Sequence, residues 1–179
     1  MERIPRVAFL WGLCISSETE TRMKDFRMEP TYDKIVRWME EYFAAYNAYA
    51  QNPGTVHRMS DYFTENVRFV PYISDFGGPE KAVTNRDDFF RMFTGHPTVY
   101  EKFEVEDIAV DERRLVVVAL LRVSLFDSKT DEVLLKKHYL PRYQLVPDEE
   151  GTLKISTILF FWEALPPEVD KAYAIEKPE

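Results

Sequence analysis

The chain has 179 residues, of which 45% are hydrophobic and 30% charged, the balance of one globular domain with a sizeable core. Its net charge of −8 repels phosphate backbones, and no basic run offsets that charge, so nucleic acid is not an expected partner. No apolar stretch approaches the roughly 20 residues that span a bilayer, so a membrane is not expected either. The single cysteine, Cys14, cannot form an intrachain disulfide and favours a reducing, cytoplasmic location.

Residues 1–31 are predicted to form an N-terminal extension. Within it, two arginines followed by the apolar run Val7–Ile15 loosely resemble a signal peptide. The run is short and no small-residue cleavage pattern follows it, so we favour a mobile extension or a natural start further along the chain. At the other end, residues 166–179 are predicted to be a polar tail, which leaves 32–165 as the folded domain.

Three helices are predicted before the main run of strands. Tyr32–Gln51 carries apolar and aromatic residues at helical spacing, three of them tyrosines. Shorter helices are predicted at Thr55–Phe63 and Arg86–Phe93, the second of them capped by Asn85 or Asp87.

The strands are expected largely after the helices. They are predicted, after a turn at 64–66, to lie at Val67–Ile73, Tyr100–Val110, Leu115–Phe126, Val133–Val146 and Leu153–Trp162, the last three as antiparallel neighbours. Helices and strands in separate blocks indicate an α+β fold. At roughly 3.4 Å per residue the strand Leu115–Phe126 is about 40 Å long, too long to stay flat. We therefore predict a strongly curled mixed or antiparallel sheet wrapped around three helices, forming a cone with an internal pocket.

Several short segments, in this order of elements, resemble a known superfamily. The segments are Tyr42–Ala48 (YFAAYNA), Tyr62–Phe69 (YFTENVRF), Gly151–Ile155 (GTLKI) and Phe160–Glu163 (FFWE). They resemble the nuclear transport factor 2-like superfamily, which includes SnoaL-like proteins and ketosteroid isomerase, over about residues 32–163. The resemblance implies a cone-shaped α+β domain, commonly a homodimer joined through its outer sheet face, with a pocket between the sheet and the helices.

Of the three catalytic positions of ketosteroid isomerase, one has a matching residue in this chain and two do not. Tyr42 falls at the position of the tyrosine that serves there as the oxyanion donor. The position of the aspartate base falls at or next to Pro71, and that of the second, protonated aspartate falls at Pro141. Without both acids the proton shuttle of that isomerase is lost, so steroid isomerisation of the known type is not expected.

Alternation along the strands, aligned on the resemblance, predicts which side chains face the pocket. The expected ligand-binding residues are Tyr46, Phe63, Tyr72, Phe89, Phe93, Leu121, Val123, Tyr139, Tyr143 and Trp162. Such an aromatic pocket with several hydroxyls suits a cyclic, mostly apolar small molecule that carries a few oxygens. The alternative is that these aromatic side chains close on one another and leave no cavity.

Tyr42, His138 and Asp75 are the candidate catalytic residues. A tyrosine, Tyr42 or Tyr46, would polarise a substrate oxygen, and His138 or Asp75 would move the proton. Strand alternation turns His138 outward unless a bulge at Pro141 shifts the parity. Asp75 lies in a glycine-rich loop, where an aspartate more often forms a turn. The three histidines are far apart and the cysteine is in the extension, so no metal and no cofactor is expected.

The outer face of the sheet is also predicted to be apolar. Its residues are Val116, Val118, Leu120, Phe126, Leu159 and Phe161. Such a face needs a cover. A twofold homodimer is the simplest one, and the segment Val7–Ile15 of the same chain is the alternative.

We predict a SnoaL-like protein that binds a cyclic apolar molecule and catalyses a lyase, isomerase or hydrolase reaction by acid/base chemistry. The alternative is a non-catalytic ligand-binding or protein-interaction module of the same fold.

Overall fold

The structure is a computed structural model that describes residues 30–72, 78–96 and 98–162. The extension up to residue 29, Asp75 and the tail beyond Trp162 lie outside the described residues, as does the side chain of Trp162. The predicted domain limits therefore stay predictions.

The helices lie where the hydrophobic spacing predicts them. Helix α1 (Tyr32–Ala45) continues into a π-helical turn (Tyr46–Ala50), a 3-10 helix follows at Val56–Tyr62, and α2 spans Arg86–Thr94. A further 3-10 turn lies at Pro79–Lys81. Helix α1 buries the apolar stripe on one side: Ile35, Met39, Tyr42 and Phe43. The cap of α2 is Asn85, whose side-chain oxygen accepts a hydrogen bond from the Asp88 N–H at 2.8 Å.

Five strands form one mixed sheet in the order β1-β5-β4-β3-β2. The strands are β1 (Phe63–Tyr72), β2 (Val99–Asp111), β3 (Val116–Asp127), β4 (Val133–Pro147) and β5 (Leu153–Trp162). Strand β1 runs parallel to β5, and the other three pairs are antiparallel. The predicted α+β class and the three antiparallel neighbours β3, β4 and β5 are confirmed.

The turn predicted at 64–66 is wrong, because β1 already begins at Phe63. Phe63 pairs with Ile155, and the next paired residue of β1 is Arg68, opposite Thr157. An advance of five residues along β1 therefore corresponds to an advance of two residues along β5, which is a register shift between the two strands. The polar residues that suggested a turn lie in this irregular part of the strand instead.

The face of the sheet that packs against the helices, here called the inner face, holds the core. The predicted alternation is confirmed, since burial follows every second residue of β3 and β4. The buried inner residues include Val117, Ala119, Leu121, Val123, Tyr139, Tyr143, Ile158 and Phe160. The opposite side of the sheet is the outer face.

Pro141 lies in β4, between β3 and β5, without changing the register. It pairs with Phe160 on β5. On the β3 side, Leu121 pairs with Tyr139 and Val118 pairs with Arg142, which is the same register on both sides of the proline. The missing N–H of Pro141 thus interrupts the β3–β4 ladder locally without a bulge there.

Asn47 fixes the π-helical turn to the edge of the described sheet. Strand β2 is the last in the strand order, so one side of its backbone faces no other strand of that sheet. The Asn47 Nδ2 donates to the carbonyl oxygen of Phe103 at 2.8 Å, and its Oδ1 accepts from the Phe103 N–H at 2.8 Å. One side-chain amide therefore takes the place of a neighbouring strand at Phe103.

Replacing Asn47 by alanine should lower the free energy of unfolding by about 1–2 kcal/mol, because Phe103 loses both hydrogen bonds to that side chain. Urea denaturation measures this loss. The matched control is Asn66→Ala on the exposed part of β1, which should stay within about 0.5 kcal/mol of the parent. Equal losses in the two variants would contradict the docking role of Asn47.

Candidate functional site

A carboxylate lies among four buried tyrosines on the inner face. The Tyr46 hydroxyl donates to Glu101 Oε1 at 2.7 Å, and the Tyr139 hydroxyl donates to Glu101 Oε2 at 3.2 Å. Tyr42 and Tyr143 complete the group, which we call the tyrosine–carboxylate cluster. All four tyrosines are at most 2% exposed. The π-helical turn, β2 and β4 thus converge on one carboxylate.

Strand alternation places Glu101 in this cluster. It shares the inner face of β2 with Val99 and Phe103, both of which are buried. A carboxylate in that position requires hydrogen-bond donors, since removal from water without them is costly. Phenol donors to both of its oxygens supply them.

Burial raises the pKa of Tyr42 and of Tyr143. The pKa of Tyr42 lies above its usual value near 10, chiefly because of burial, with a hydrogen bond from Tyr143 lowering it and the charge of Glu101 raising it. The pKa of Tyr143 is raised well above its usual value by burial, then by Tyr42 and by Glu101. Both hydroxyls are therefore protonated near neutral pH and serve as hydrogen-bond donors and acceptors.

A buried ammonium group lies beside the cluster. Lys137 is 8% exposed and points to the inner face two residues before Tyr139 on β4. Its Nζ lies 4.6 Å from the centre of the Tyr139 ring, a cation–π distance. Tyr139 therefore has a cation over its ring and a carboxylate at its hydroxyl.

Aromatic rings surround the polar atoms. Tyr46 stacks on Phe103 with ring centres 4.3 Å apart, and Phe93 meets Tyr46 edge-on at 5.3 Å. Tyr139 meets Phe160 edge-on at 4.8 Å. These contacts fix the ring planes, and therefore the directions in which the tyrosine hydroxyls point.

The structure brings most of the predicted pocket residues together. Tyr42, Tyr46, Tyr139 and Tyr143 form the cluster with Glu101. The others that reach the same core are Phe63, Phe89, Phe93, Leu121 and Val123. Their role in ligand binding stays a prediction.

Other predicted residues lie away from the cluster. Tyr72 is 39% exposed and stacks on Phe161 on the outer face, with ring centres 4.8 Å apart. His138 also lies on the outer face, because no bulge at Pro141 shifts the parity. Its Nε2 is 3.2 Å from Glu106 Oε2, and Arg122 contacts the same carboxylate. Asp75 and the Trp162 side chain are outside the described residues.

Sequence reasoning missed Glu101, Lys137, Asn47 and Gln51. The alternation of β2 contained the signal for Glu101, because it precedes the inward Phe103 by two residues. The same two-residue alternation, counted back from the inward Tyr139 on β4, places Lys137 on the inner face. Asn47 and Gln51 had no comparable signal, since they depend on the π-helical turn.

The described part of the chain holds no group of three or more His, Cys, Asp or Glu side chains suited to a metal ion. None of its helices is long and apolar enough to cross a membrane.

Comparisons with known proteins identify the fold. No protein-family model matches the sequence, and no curated protein matches it. Among solved structures, AusH from Aspergillus nidulans matches with a TM-score of 0.60 and 15% identity over 83% of this chain and 94% of its own. An NTF2-like protein from Anabaena variabilis matches with a TM-score of 0.55 and 15% identity, over 77% and 96%.

A third similar structure is SalBIII, an epoxide hydrolase/cyclase-like enzyme in pyran ring formation of salinomycin. It matches with a TM-score of 0.53 and 20% identity, over 73% of this chain and 92% of its own. The chain therefore has the nuclear transport factor 2-like fold that its sequence resembled. At these identities the likeness establishes the fold alone.

The raised tyrosine pKa values predict a pH dependence of stability. The folded protein keeps protons on Tyr42 and Tyr143 that the unfolded chain loses above about pH 10. Their contribution is complete below that pH and is lost as the pH rises through the higher folded pKa values. Replacing Tyr143 by phenylalanine should make the fall in the free energy of unfolding above pH 10 shallower by about 1.4 kcal/mol per pH unit.

Denaturant unfolding between pH 9 and pH 12 measures that slope. Tyr32→Phe, at a tyrosine that is 45% exposed, serves as the control and should leave the slope unchanged. An unchanged slope in Tyr143→Phe would show that its hydroxyl ionises in the folded protein as it does in the unfolded chain.

Proposed function

We propose that this protein binds a mostly apolar, cyclic small molecule against the inner face and transfers a proton to or from it through Glu101. The observation that carries the proposal is the position of that carboxylate, held by Tyr46 and Tyr139 among aromatic rings. Aromatic walls with a few oriented polar groups are typical of small-molecule sites. A single carboxylate among them is the natural acid/base group.

The chemistry follows from the hydrogen bonds. Glu101 takes a proton from a C–H or O–H group of the ligand, and its carboxylate becomes a carboxylic acid. Tyr46 or Tyr139, released from that carboxylate, donates a hydrogen bond to the ligand oxygen on which negative charge develops. Return of the proton at another ligand atom completes an isomerisation, and its delivery to a leaving oxygen completes an elimination or a ring opening. The isomerisation moves a proton, and the elimination or ring opening also breaks one C–O bond whose electron pair leaves with the oxygen; no step is an oxidation or a reduction, so no redox cofactor is required.

This proposal revises the candidate roles. Tyr46 or Tyr139, both of which donate to Glu101, takes the oxygen-polarising role that the sequence left open between Tyr42 and Tyr46. His138 is separated from the cluster by the sheet itself. The role of proton acceptor therefore passes to Glu101. SalBIII, described as epoxide hydrolase/cyclase-like, shows that the fold accommodates ring chemistry of this kind in another protein.

A second candidate function is non-catalytic ligand binding on the same face. It is favoured by the completeness of the hydrogen bonding, since both Glu101 oxygens already accept from tyrosines. The high pKa values of Tyr42 and Tyr143 also make those two residues poor proton donors near neutral pH. Both candidates place the ligand at the tyrosine–carboxylate cluster.

Substitution of Glu101 by glutamine separates the two functions. Intrinsic fluorescence with a panel of steroids, aromatic acids and polyketides identifies binders, and turnover assays on those binders follow. We expect Glu101→Gln to keep binding within severalfold and to lower turnover by about 10²- to 10⁴-fold, the usual effect of a general acid or base. Glu104→Gln, at an outer-face glutamate whose side chain is 68% exposed, should leave both unchanged. Binding with no turnover by the parent would favour the second function.

We also propose a homodimer through the outer face. Leu140 is 46% exposed and Phe161 39% exposed, and the two are paired across β4 and β5. Next to them Arg122 contacts Glu104 and Glu106, so the patch carries both signs of charge. An apolar patch bordered by both signs is self-complementary under a twofold axis. The single cysteine supports the expected cytoplasmic location for this assembly.

Replacing Leu140 by glutamate should weaken such a dimer at least tenfold, because it puts a charge into the apolar centre of the patch. Sedimentation velocity over a concentration series measures the dissociation constant. Tyr32→Glu is the control, since Tyr32 is 45% exposed but lies at the start of α1, which packs on the inner face. A parent protein that sediments as a monomer at high concentration would refute the dimer.

A further inference from the structure

An open depression lies beside the tyrosine–carboxylate cluster. Its volume is about 520 Å³, within the usual range for small-molecule sites. It is lined by Gln51, Asn52, Pro53, Thr94, His96, Val99, Tyr100 and Ser128. The end of the π-helical turn, the end of α2 and the start of β2 therefore form its walls.

The lining of this depression is uncharged and combines apolar surface with several hydrogen-bonding groups. None of its residues is an aspartate, glutamate, lysine or arginine, in a chain of which 30% is charged. The one titratable imidazole is that of His96, and burial lowers its pKa below the usual value near 6.5. It is therefore neutral at neutral pH. Amide, hydroxyl and imidazole groups remain as hydrogen-bonding partners for a ligand.

Gln51 belongs to both the depression and the cluster. Its Nε2 donates to the Tyr46 hydroxyl at 3.0 Å, and that hydroxyl donates to Glu101 at 2.7 Å. The amide oxygen of the same Gln51 side chain is a hydrogen-bond acceptor, and Gln51 is one of the residues that line the depression. A chain of two hydrogen bonds thus joins the depression to Glu101.

The π-helical turn makes this connection possible. In an α-helix, residues five apart point about 140° away from each other. The wider π-helical turn, with its i→i+5 hydrogen bonds, brings such residues onto the same side. Tyr46 and Gln51 are five residues apart, and the turn between them spans Tyr46–Ala50. Asn47 then holds this turn against Phe103.

We propose that the depression is a subsite for a neutral, hydroxylated part of the ligand, recognised by Gln51. This inference rests on the proposed function, because it assigns the rest of the same ligand to the tyrosine–carboxylate cluster. Hydroxyl groups match the uncharged donors and acceptors of the lining. A phosphate or carboxylate would lose water there without meeting an opposite charge from the lining residues. The ligand is therefore amphipathic, with an apolar ring and an uncharged, oxygen-rich end.

Three probes with one common ring test the subsite: 2-naphthol, 2-naphthyl β-D-glucopyranoside and 2-naphthyl phosphate. Their dissociation constants are measured by fluorescence titration at pH 7. We expect the glucoside to bind about tenfold more tightly than 2-naphthol, the effect of one or two added hydrogen bonds. The phosphate should bind no more tightly than 2-naphthol.

Two variants locate the effect. Gln51→Leu should bring the glucoside to about the affinity of 2-naphthol. Thr94→Val, which removes a lining hydroxyl at the end of α2, should weaken glucoside binding by a smaller factor. Asn66→Ala on β1 should change nothing. Thr94→Val keeps the side-chain shape, so it tests the subsite even if Gln51→Leu perturbs the π-helical turn.

The outcomes separate the subsite from the proposed function. Tight binding of the phosphate, or a glucoside affinity that neither variant lowers, overturns the subsite. If 2-naphthol binds and the glucoside binds no more tightly, the subsite is wrong and the cluster stands as the site. If none of the three probes binds, both fail.

Discussion

The hydrogen bonds of Glu101 tie the helical layer to the sheet. One oxygen accepts from Tyr46 on the π-helical turn and the other from Tyr139 on β4. Hydrogen bonds to a charged group contribute about 1.5–3 kcal/mol each, and an unsatisfied carboxylate in this place would cost more than that. A half-buried polar contact at the margin of the apolar core therefore helps to hold the π-helical turn against the sheet. The aromatic contacts of Tyr46 with Phe103 and of Tyr139 with Phe160 then fix the donors in place.

The edge strand β2 is also held by the π-helical turn. Strand β2 lacks a neighbour on one side in the described sheet, and Asn47 satisfies the Phe103 backbone there. The same π-helical turn carries Tyr46 and leads to Gln51. An irregular helical turn thus protects an exposed edge, positions a donor on the carboxylate and brings a polar amide beside the open depression.

The sequence predicted the layers better than the site. Period-two alternation gave the inner residues of β3, β4 and β5, and period-3.6 spacing gave α1 and α2, because burial of one face controls both patterns. Glu101 escaped notice because Lys102, Glu104 and Glu106 follow it along the strand and suggest a solvated face. Gln51 and Asn47 could not be predicted, because a π-helical turn shifts residue directions without a known sequence signal. His138 was undecided only because the effect of Pro141 on register is a property of the folded ladder.

The carboxylate of this chain lies on β2, away from the two positions at which the resemblance to ketosteroid isomerase places acids. The resemblance to ketosteroid isomerase places acids at or next to Pro71 and at Pro141, and in this structure both prolines pair with Phe160. Pro71, Phe160 and Pro141 therefore form one buried apolar row across β1, β5 and β4. An acid in that row would face Phe69 and the Tyr139 ring, both of which contact Phe160. Here the polar centre lies instead beyond β3, on the edge strand. That position brings Glu101 close to the π-helical turn and to the uncharged depression.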